Sequence, residues 1–326
     1  EEVERYFGCD RGFETNLVNY WGDNGPVGIE WRAWPRWTKE VISETEDTIT
    51  YGGEVGIITE NKHSESIPFQ SRYPVETMED FQRIVVPRLN GKDKTRVTPS
   101  FAPMLQRAHD EKQAVGAWID GFFAWPRELL GPENLLISYY DDPDLIHAIQ
   151  RNHTDFVKDW VDMVWEVTPL DYVCFFEDMA YNHGCFISPK TFDEFLMPYY
   201  HELVAYLRAK GVKKVLVDSD GNSVQLTDKL VEAGADGHYP LEINSGAFPE
   251  EIRKRHPKLA LIGGINKLAL AQDRAAIDKE LSKLPPLLEQ GGYIPSLDHR
   301  VQPDVPMVNY HYYIEKKREI MEKYCY

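Results

Sequence analysis

From about residue 98 onward, short apolar runs alternate with amphipathic stretches, and this alternation constrains the fold more than any other feature of the chain. The runs 114–119, 171–176, 213–217, 237–241, 259–262 and 292–295 read as buried strands. Between them lie helical patterns. Residues 144–167 carry Leu145, Ile149, Phe156, Val157, Val161 and Val164 at helical spacing. Pro189 opens a helix through Leu207, with Ser188 as its cap. Further helices are expected from 127, over 224–233, 249–255 and 269–281, and at 306–323.

Strand and helix in alternation mark a parallel α/β fold. A (β/α)8 TIM barrel of roughly 250 residues fits the length. A doubly wound open sheet is the rival, but no GxGxxG follows a strand and no GxxxxGK[ST] occurs. The chain therefore divides into an irregular, aromatic-rich extension over 1–97 and a barrel body over 98–326. In the extension Trp21, Trp31, Trp34 and Trp37 fall close together. A hairpin about Gly52-Gly53 and a short helix capped by Thr77 are expected there.

Charge narrows the partners. The 36 basic and 53 acidic side chains give a formal charge of −17, the wrong sign for neutralising duplex phosphates or docking on anionic lipid. No nucleic-acid and no membrane partner is expected. The longest apolar runs fall short of the roughly 18 to 20 residues of a membrane span, and no signal peptide is visible. Cys9, Cys174, Cys185 and Cys325 form no CxxC pair, so a reduced, cytoplasmic setting is expected.

In a barrel, chemistry collects at the C-terminal ends of the strands. Here those ends are loaded with acids: Asp120, Glu177-Asp178, Asp218-Ser219-Asp220-Gly221-Asn222, Glu242, and Asp298-His299-Arg300, with Lys267 following the fifth strand. Each has an ordinary reading as well. Asp178 suits a turn cap, Asp218 and Asp220 suit the Gly221-Asn222 turn, Glu242 suits solvent, His299 suits an exposed loop and Lys267 suits a simple ion pair. Recurrence at successive strand ends is the signal. Several carboxylates and an imidazole converging on one mouth cannot all stay charged and unpaired. Either a divalent cation neutralises them, or one carboxyl holds its proton and acts as a general acid.

The segments Phe176-Glu-Asp-Met-Ala-Tyr181, Ile187-Ser-Pro189, Phe195-Leu-Met-Pro-Tyr-Tyr200, Asp218-Ser-Asp-Gly-Asn222, Ile262-Gly-Gly-Ile-Asn-Lys267 and Gly291-Gly-Tyr-Ile-Pro295 with Asp298-His299 resemble the uroporphyrinogen decarboxylase superfamily. The resemblance covers roughly half the chain and implies a (β/α)8 barrel with its cleft at the strand C-termini. The superfamily holds decarboxylases of a many-carboxylate tetrapyrrole and methyltransferases that pass a methyl group to a corrinoid on a separate protein. The decarboxylases' Arg-Gln-Ala-Gly-Arg segment is absent here, and the charge disfavours a polyanionic substrate. Thiol-activating methyltransferases build zinc on His-x-Cys-Gly and a later Cys. This chain has Asp218-Ser219-Asp220-Gly221 and Asp298 instead, carboxylates in both thiolate positions.

A harder, oxygen-rich site suits an ether or alcohol oxygen better than a thiolate. The resemblance thus implies an O-demethylase type of methyltransferase. It would take a small methoxylated substrate, aromatic rings included, and a corrinoid (cobalamin) on a partner protein. A divalent metal, zinc by resemblance, or a protonated acid would assist. Glu177, Asp218, His299 and Tyr181 are the expected catalytic residues. Glu177, Asp218, Asp220, Glu242 and Asp298 are the expected metal ligands. Asp120, Asn222 and Lys267 are the expected substrate contacts. The alternatives are a decarboxylase-like lyase and a non-catalytic corrinoid or tetrapyrrole binder. Family barrels often dimerise, which leaves a homodimer open.

Overall fold

A computed structural model describes residues 6–8, 28–64 and 68–324. Trp21, Cys9 and Cys325 lie outside the described residues. Four short strands come first: β1 (Glu40–Glu44), β2 (Thr48–Gly52), β3 (Ile57–Asn61) and β4 (Phe69–Arg72). They form an antiparallel meander in sequence order, and the β2–β3 hairpin is the one expected about Gly52-Gly53. Strands β1 and β4 were not expected. Their sequences, EVISE and FQSR, are largely exposed and carry no apolar alternation to announce them. The expected cap at Thr77 is present: its hydroxyl accepts the Asp80 N–H.

The body follows as α1 (Phe101–Asp110), β5 (Gly116–Asp120), α2 (Ala124–Leu130), α3 (Pro132–Asp141), α4 (Pro143–Trp165) and β6 (Tyr172–Phe176). After these come α5 (Pro189–Phe195), α6 (Met197–Lys210), β7 (Lys214–Asp218), α7 (Val224–Glu232) and β8 (Gly237–Leu241). The last elements are α8 (Pro249–Arg255), β9 (Ala260–Ile265), α9 (Arg274–Leu281), α10 (Pro285–Gln290), β10 (Tyr293–Leu297) and α11 (Met307–Tyr324).

All six expected strands form, within a few residues of their expected bounds. Their sheet order is β10-β9-β8-β7-β6-β5, with every neighbouring pair parallel. That order runs with the sequence and never reverses. A doubly wound sheet reverses at a switch point, so the rival topology is excluded. Winding in one direction is barrel architecture, and the fold is of the (β/α)8 type. Among the described residues six strands are hydrogen-bonded, and the sheet stands open between β5 and β10.

Local chemistry explains the helix bounds. The Ser188 hydroxyl accepts the Thr191 N–H and Pro189 takes the first helical turn, as expected. The single helix expected over 189–207 is instead α5 and α6, divided at Leu196 just before Pro198, whose missing N–H cannot continue the ladder. The helix expected from 269 begins at Arg274, because the Asp273 carboxylate caps the Ala276 N–H. Alternation sorts the strand faces. Val173 and Phe175 of β6, and Val215 and Val217 of β7, join the core shared with the helices. Tyr172, Cys174, Phe176 and Asp218 fall on the opposite, inner face. A second core under β8–β10 gathers Leu241, Leu261, Ile265, Leu281 and Tyr313. No helix among the described residues is long and apolar enough to cross a membrane.

Candidate active site at the strand ends

The strand C-termini carry three separate polar assemblies. The deepest is built on Glu177. Its carboxylate accepts N–H bonds from Phe122 (2.8 Å), Phe123 (2.7 Å) and Ala124 (3.0 Å), the first groups of the turn into α2, and a hydroxyl bond from Tyr200. The side chain is sealed from solvent. Gly121 is obligatory beside it, since a Cβ there would lie 2.2 Å from the carboxyl carbon. Burial pushes the Glu177 pKa up to about 7 against the lowering pull of its four donors. Glu177 therefore ties β6 to the start of α2 and does not face the mouth. It keeps the parity of Val173 and Phe175, which point to the helices.

The second assembly faces the mouth. Asp218 ends β7 and is 6% exposed. Among the described residues no donor reaches its carboxylate. Burial, then the charges of Asp220 and Asp178, hold its pKa well above the usual carboxylate range. Asp178 stands beside it in a left-handed conformation, φ +47°, that favours glycine. The Asp178 carboxylate accepts the Asp220 N–H at 3.3 Å and meets Arg127 at 3.5 Å. Arg127 also donates to the Asp178 carbonyl at 2.9 Å. Its guanidinium lies over the rings of Phe176 and Phe123. His299 closes the group, with Nε2 3.3 Å from Asp220. That contact raises the His299 pKa. Asp178 is among the strand-end acids of the sequence but was given no site role there, and Arg127 was not singled out. The parity of 174, 176 and 178 was the available signal for Asp178, whereas nothing local marks Arg127.

The third assembly is a girdle. Lys267 Nζ pairs with Glu242 at 3.0 Å, and both are largely buried. Asp298 accepts N–H bonds from Lys267 (2.9 Å) and Ile243 (3.1 Å). Glu242 accepts the Gly221 N–H at 2.9 Å and so fastens the girdle to the loop of Asp218 and Asp220. Asp120 stands apart, taken up by Arg32 (3.1 Å to each oxygen) and Trp31 Nε1 (3.2 Å). Asn222 donates its backbone N–H to the Tyr181 carbonyl, and Tyr181 lies exposed at the rim.

The structure thus brings together Asp218, Asp220 and His299, and sets Glu177, Asp120 and the Glu242–Lys267–Asp298 girdle apart. The five acids expected to share a cation belong to all three assemblies. No group of three or more His, Cys, Asp or Glu among the described residues converges as a metal site requires. Those five residues in this arrangement do not fit a zinc ion.

An open mouth with buried acid at the strand ends defines an α/β-barrel of the enzyme type. The family model described as "Uroporphyrinogen decarboxylase (URO-D)" matches residues 54–320. The chain belongs to the uroporphyrinogen decarboxylase family. Among curated relatives, a uroporphyrinogen decarboxylase of Campylobacter fetus subsp. fetus (strain 82-40) is 27% identical over 190 residues, 57% of this chain and 52% of that one. This chain therefore spans about half the length of that relative. A uroporphyrinogen decarboxylase of Aliarcobacter butzleri (strain RM4018) is 23% identical over 261 residues, 77% of this chain and 72% of that one. Among solved structures, a methyltransferase from Methanosarcina mazei shares the fold, with a TM-score of 0.57, 15% identity, and coverage of 78% of this chain and 72% of that one.

Proposed function

We propose that the chain is a methyltransferase in which Asp218, protonated, assists departure of the oxygen of a small methoxylated substrate. One observation carries the reading: a buried carboxyl at a strand end, with no donor among the described residues, whose pKa is raised by burial first and then by the charges of Asp220 and Asp178. A carboxyl kept protonated near neutral pH is what a general acid requires. When the methyl–oxygen bond breaks, its electron pair stays on oxygen, and Asp218 gives that oxygen a proton. His299, whose pKa the Asp220 contact raises, hydrogen-bonds the substrate, and Arg127 holds Asp178 in place.

The methyl acceptor is a corrinoid on a partner protein, which supplies the nucleophile when bound. An open mouth suits it: the Asp220 and His299 side chains are each about a third exposed, so a group from outside can reach the acid cluster. The test is methyl transfer from a panel of methoxylated compounds to a reduced corrinoid protein. Demethylated product with the native chain, and at least a hundredfold less with Asp218→Asn, supports the reading. An untouched panel ends it.

A second reading is a decarboxylase-like lyase, which the names of the two curated relatives favour. It uses the same protonated Asp218 to supply a proton where CO2 departs. Release of CO2 from a cyclic carboxylic acid, without demethylation, would decide for it.

A further inference from the structure

After β6 the chain turns through a two-residue ribbon, Ala180–Tyr181 against Gly184–Cys185, and this ribbon carries an ordered stack of rings. Phe123, buried at the start of α2, lies parallel to Phe186, with centroids 6.0 Å apart and planes at 7°. Tyr181 continues from Phe186 at 5.4 Å and 30°, and His183 meets Tyr181 edge-on at 5.9 Å. The column grades from sealed to wet: Phe123 is 1% exposed, Phe186 39% and Tyr181 46%. Exposed rings on a ribbon this short cost solvation without serving the core.

The ribbon is fixed to the acid cluster. Asn222 N–H donates to the Tyr181 carbonyl at 2.9 Å, and Met179 N–H donates to Ser219 Oγ at 3.1 Å. Gly221, at φ +76°, approaches so closely that a Cβ would lie 2.8 Å from the Ala180 carbonyl and the Tyr181 Cα. Ribbon and acid loop are therefore joined at both ends of the contact. At the inner end Arg127 lies 6.0 Å from the Phe123 ring and also holds Asp178.

The geometry points to Phe186 and Tyr181 as a stacking platform for a planar aromatic ring of the substrate, which makes the substrate an aryl methyl ether and not an aliphatic one. The inference rests on the methyl-transfer reading for the fate of the methoxy group, but the platform itself is a binding surface. A ring laid against the exposed faces of Phe186 and Tyr181 extends a column that tilts by 30° between them, beside the loop of Asp218 and Asp220 to which the ribbon is bonded. An aliphatic ether has no π face to meet the stack.

The test separates platform from chemistry by omitting the corrinoid partner. Binding of 4-methoxyphenol and of 2-methoxyethanol to the intact chain is measured by calorimetry and by saturation-transfer NMR. The aryl ether should bind at least tenfold more tightly, with saturation transferred to ring protons. Phe186→Leu and Tyr181→Leu keep an apolar side chain but remove the π face. Each should weaken the aryl ether about three- to tenfold and leave any binding of the aliphatic ether unchanged. Phe186→Tyr and Tyr181→Phe should restore it, which a folding defect would not allow. Equal affinity for both ethers, or Leu variants that bind the aryl ether as the native chain does, overturns the platform even where methyl transfer proceeds. Tight aryl binding lost in the Leu variants, with no methyl transfer once a corrinoid protein is added, keeps the platform and removes the methyltransferase reading alone.

Discussion

Glu177 and Asp218 end neighbouring strands, and both are buried acids with raised pKa, yet their surroundings are opposite. Glu177 has four donors on its two oxygens. Asp218 has none among the described residues and two more carboxylates for company. A fully answered acid is a fastener, because each partner locates it and little is gained by changing its state. An unanswered one is expensive to bury and persists where a ligand or a proton completes it. Burial alone does not separate structure from chemistry at a barrel mouth; the inventory of partners does.

The comparison can be broken by substitution. The largest effect belongs to Asp218→Asn. We expect methyl transfer to fall by a factor on the order of 10² to 10⁴, while the thermal midpoint stays level because a neutral amide replaces a neutral carboxyl of the same shape. A rate within tenfold of native would put Asp218 with the fasteners.

Glu177→Gln should do the converse. The amide presents an N–H group toward backbone N–H donors, and we expect a loss of about 3 kcal/mol in urea unfolding. A variant as stable as the native chain would dissolve the contrast. Lys267→Met leaves Glu242 with its remaining donors in a largely buried girdle, so a smaller loss, about 2 kcal/mol, is expected from the same measurement.

The finest probe is pH. Glu177 has a folded pKa near 7 against an ordinary value of 4.5, so the folded state holds this proton more tightly than the unfolded one. Its contribution to stability is present in full below about 4.5 and declines as pH rises toward 7. Glu177→Gln and Asp218→Asn should each flatten the part of the stability–pH curve that its own carboxyl contributes, so stability alone does not separate them. The rate should instead fall as pH rises through the raised pKa of Asp218, a limb absent from Asp218→Asn.

Much of the barrel was legible from local pattern. Six strands and most helices follow from buried runs, caps and prolines, because such signals are short-range. Helix α3 was harder: its Ile137 and Tyr140 are exposed, which blurs the apolar face. The division of α5 from α6 turned on Pro198 within an apolar run that otherwise reads as one helix. At the site, the recurrence of acids pointed to the strand ends, but sorting those acids needed tertiary information. Asp120 is claimed by Arg32 from 88 residues earlier, and Asp298 by the backbone N–H of Lys267 from 31 residues earlier. Glu177 was the exception that alternation could have corrected. Its parity with Val173 and Phe175 already turned it away from the mouth.

Asp178 has a consequence for the protein's future under selection. A left-handed backbone at an aspartate is held at a disadvantage of about 1 kcal/mol or more, which glycine would remove. Glycine would also remove a charge that bears on Asp218 and the carboxylate that Arg127 meets, leaving Arg127 its bond to the backbone carbonyl at 178. A population bred for heat resistance alone should therefore drift toward Asp178→Gly, gaining survivors that melt later and turn over less. Aspartate at 178 sets a local backbone cost against a charge placed beside Asp218.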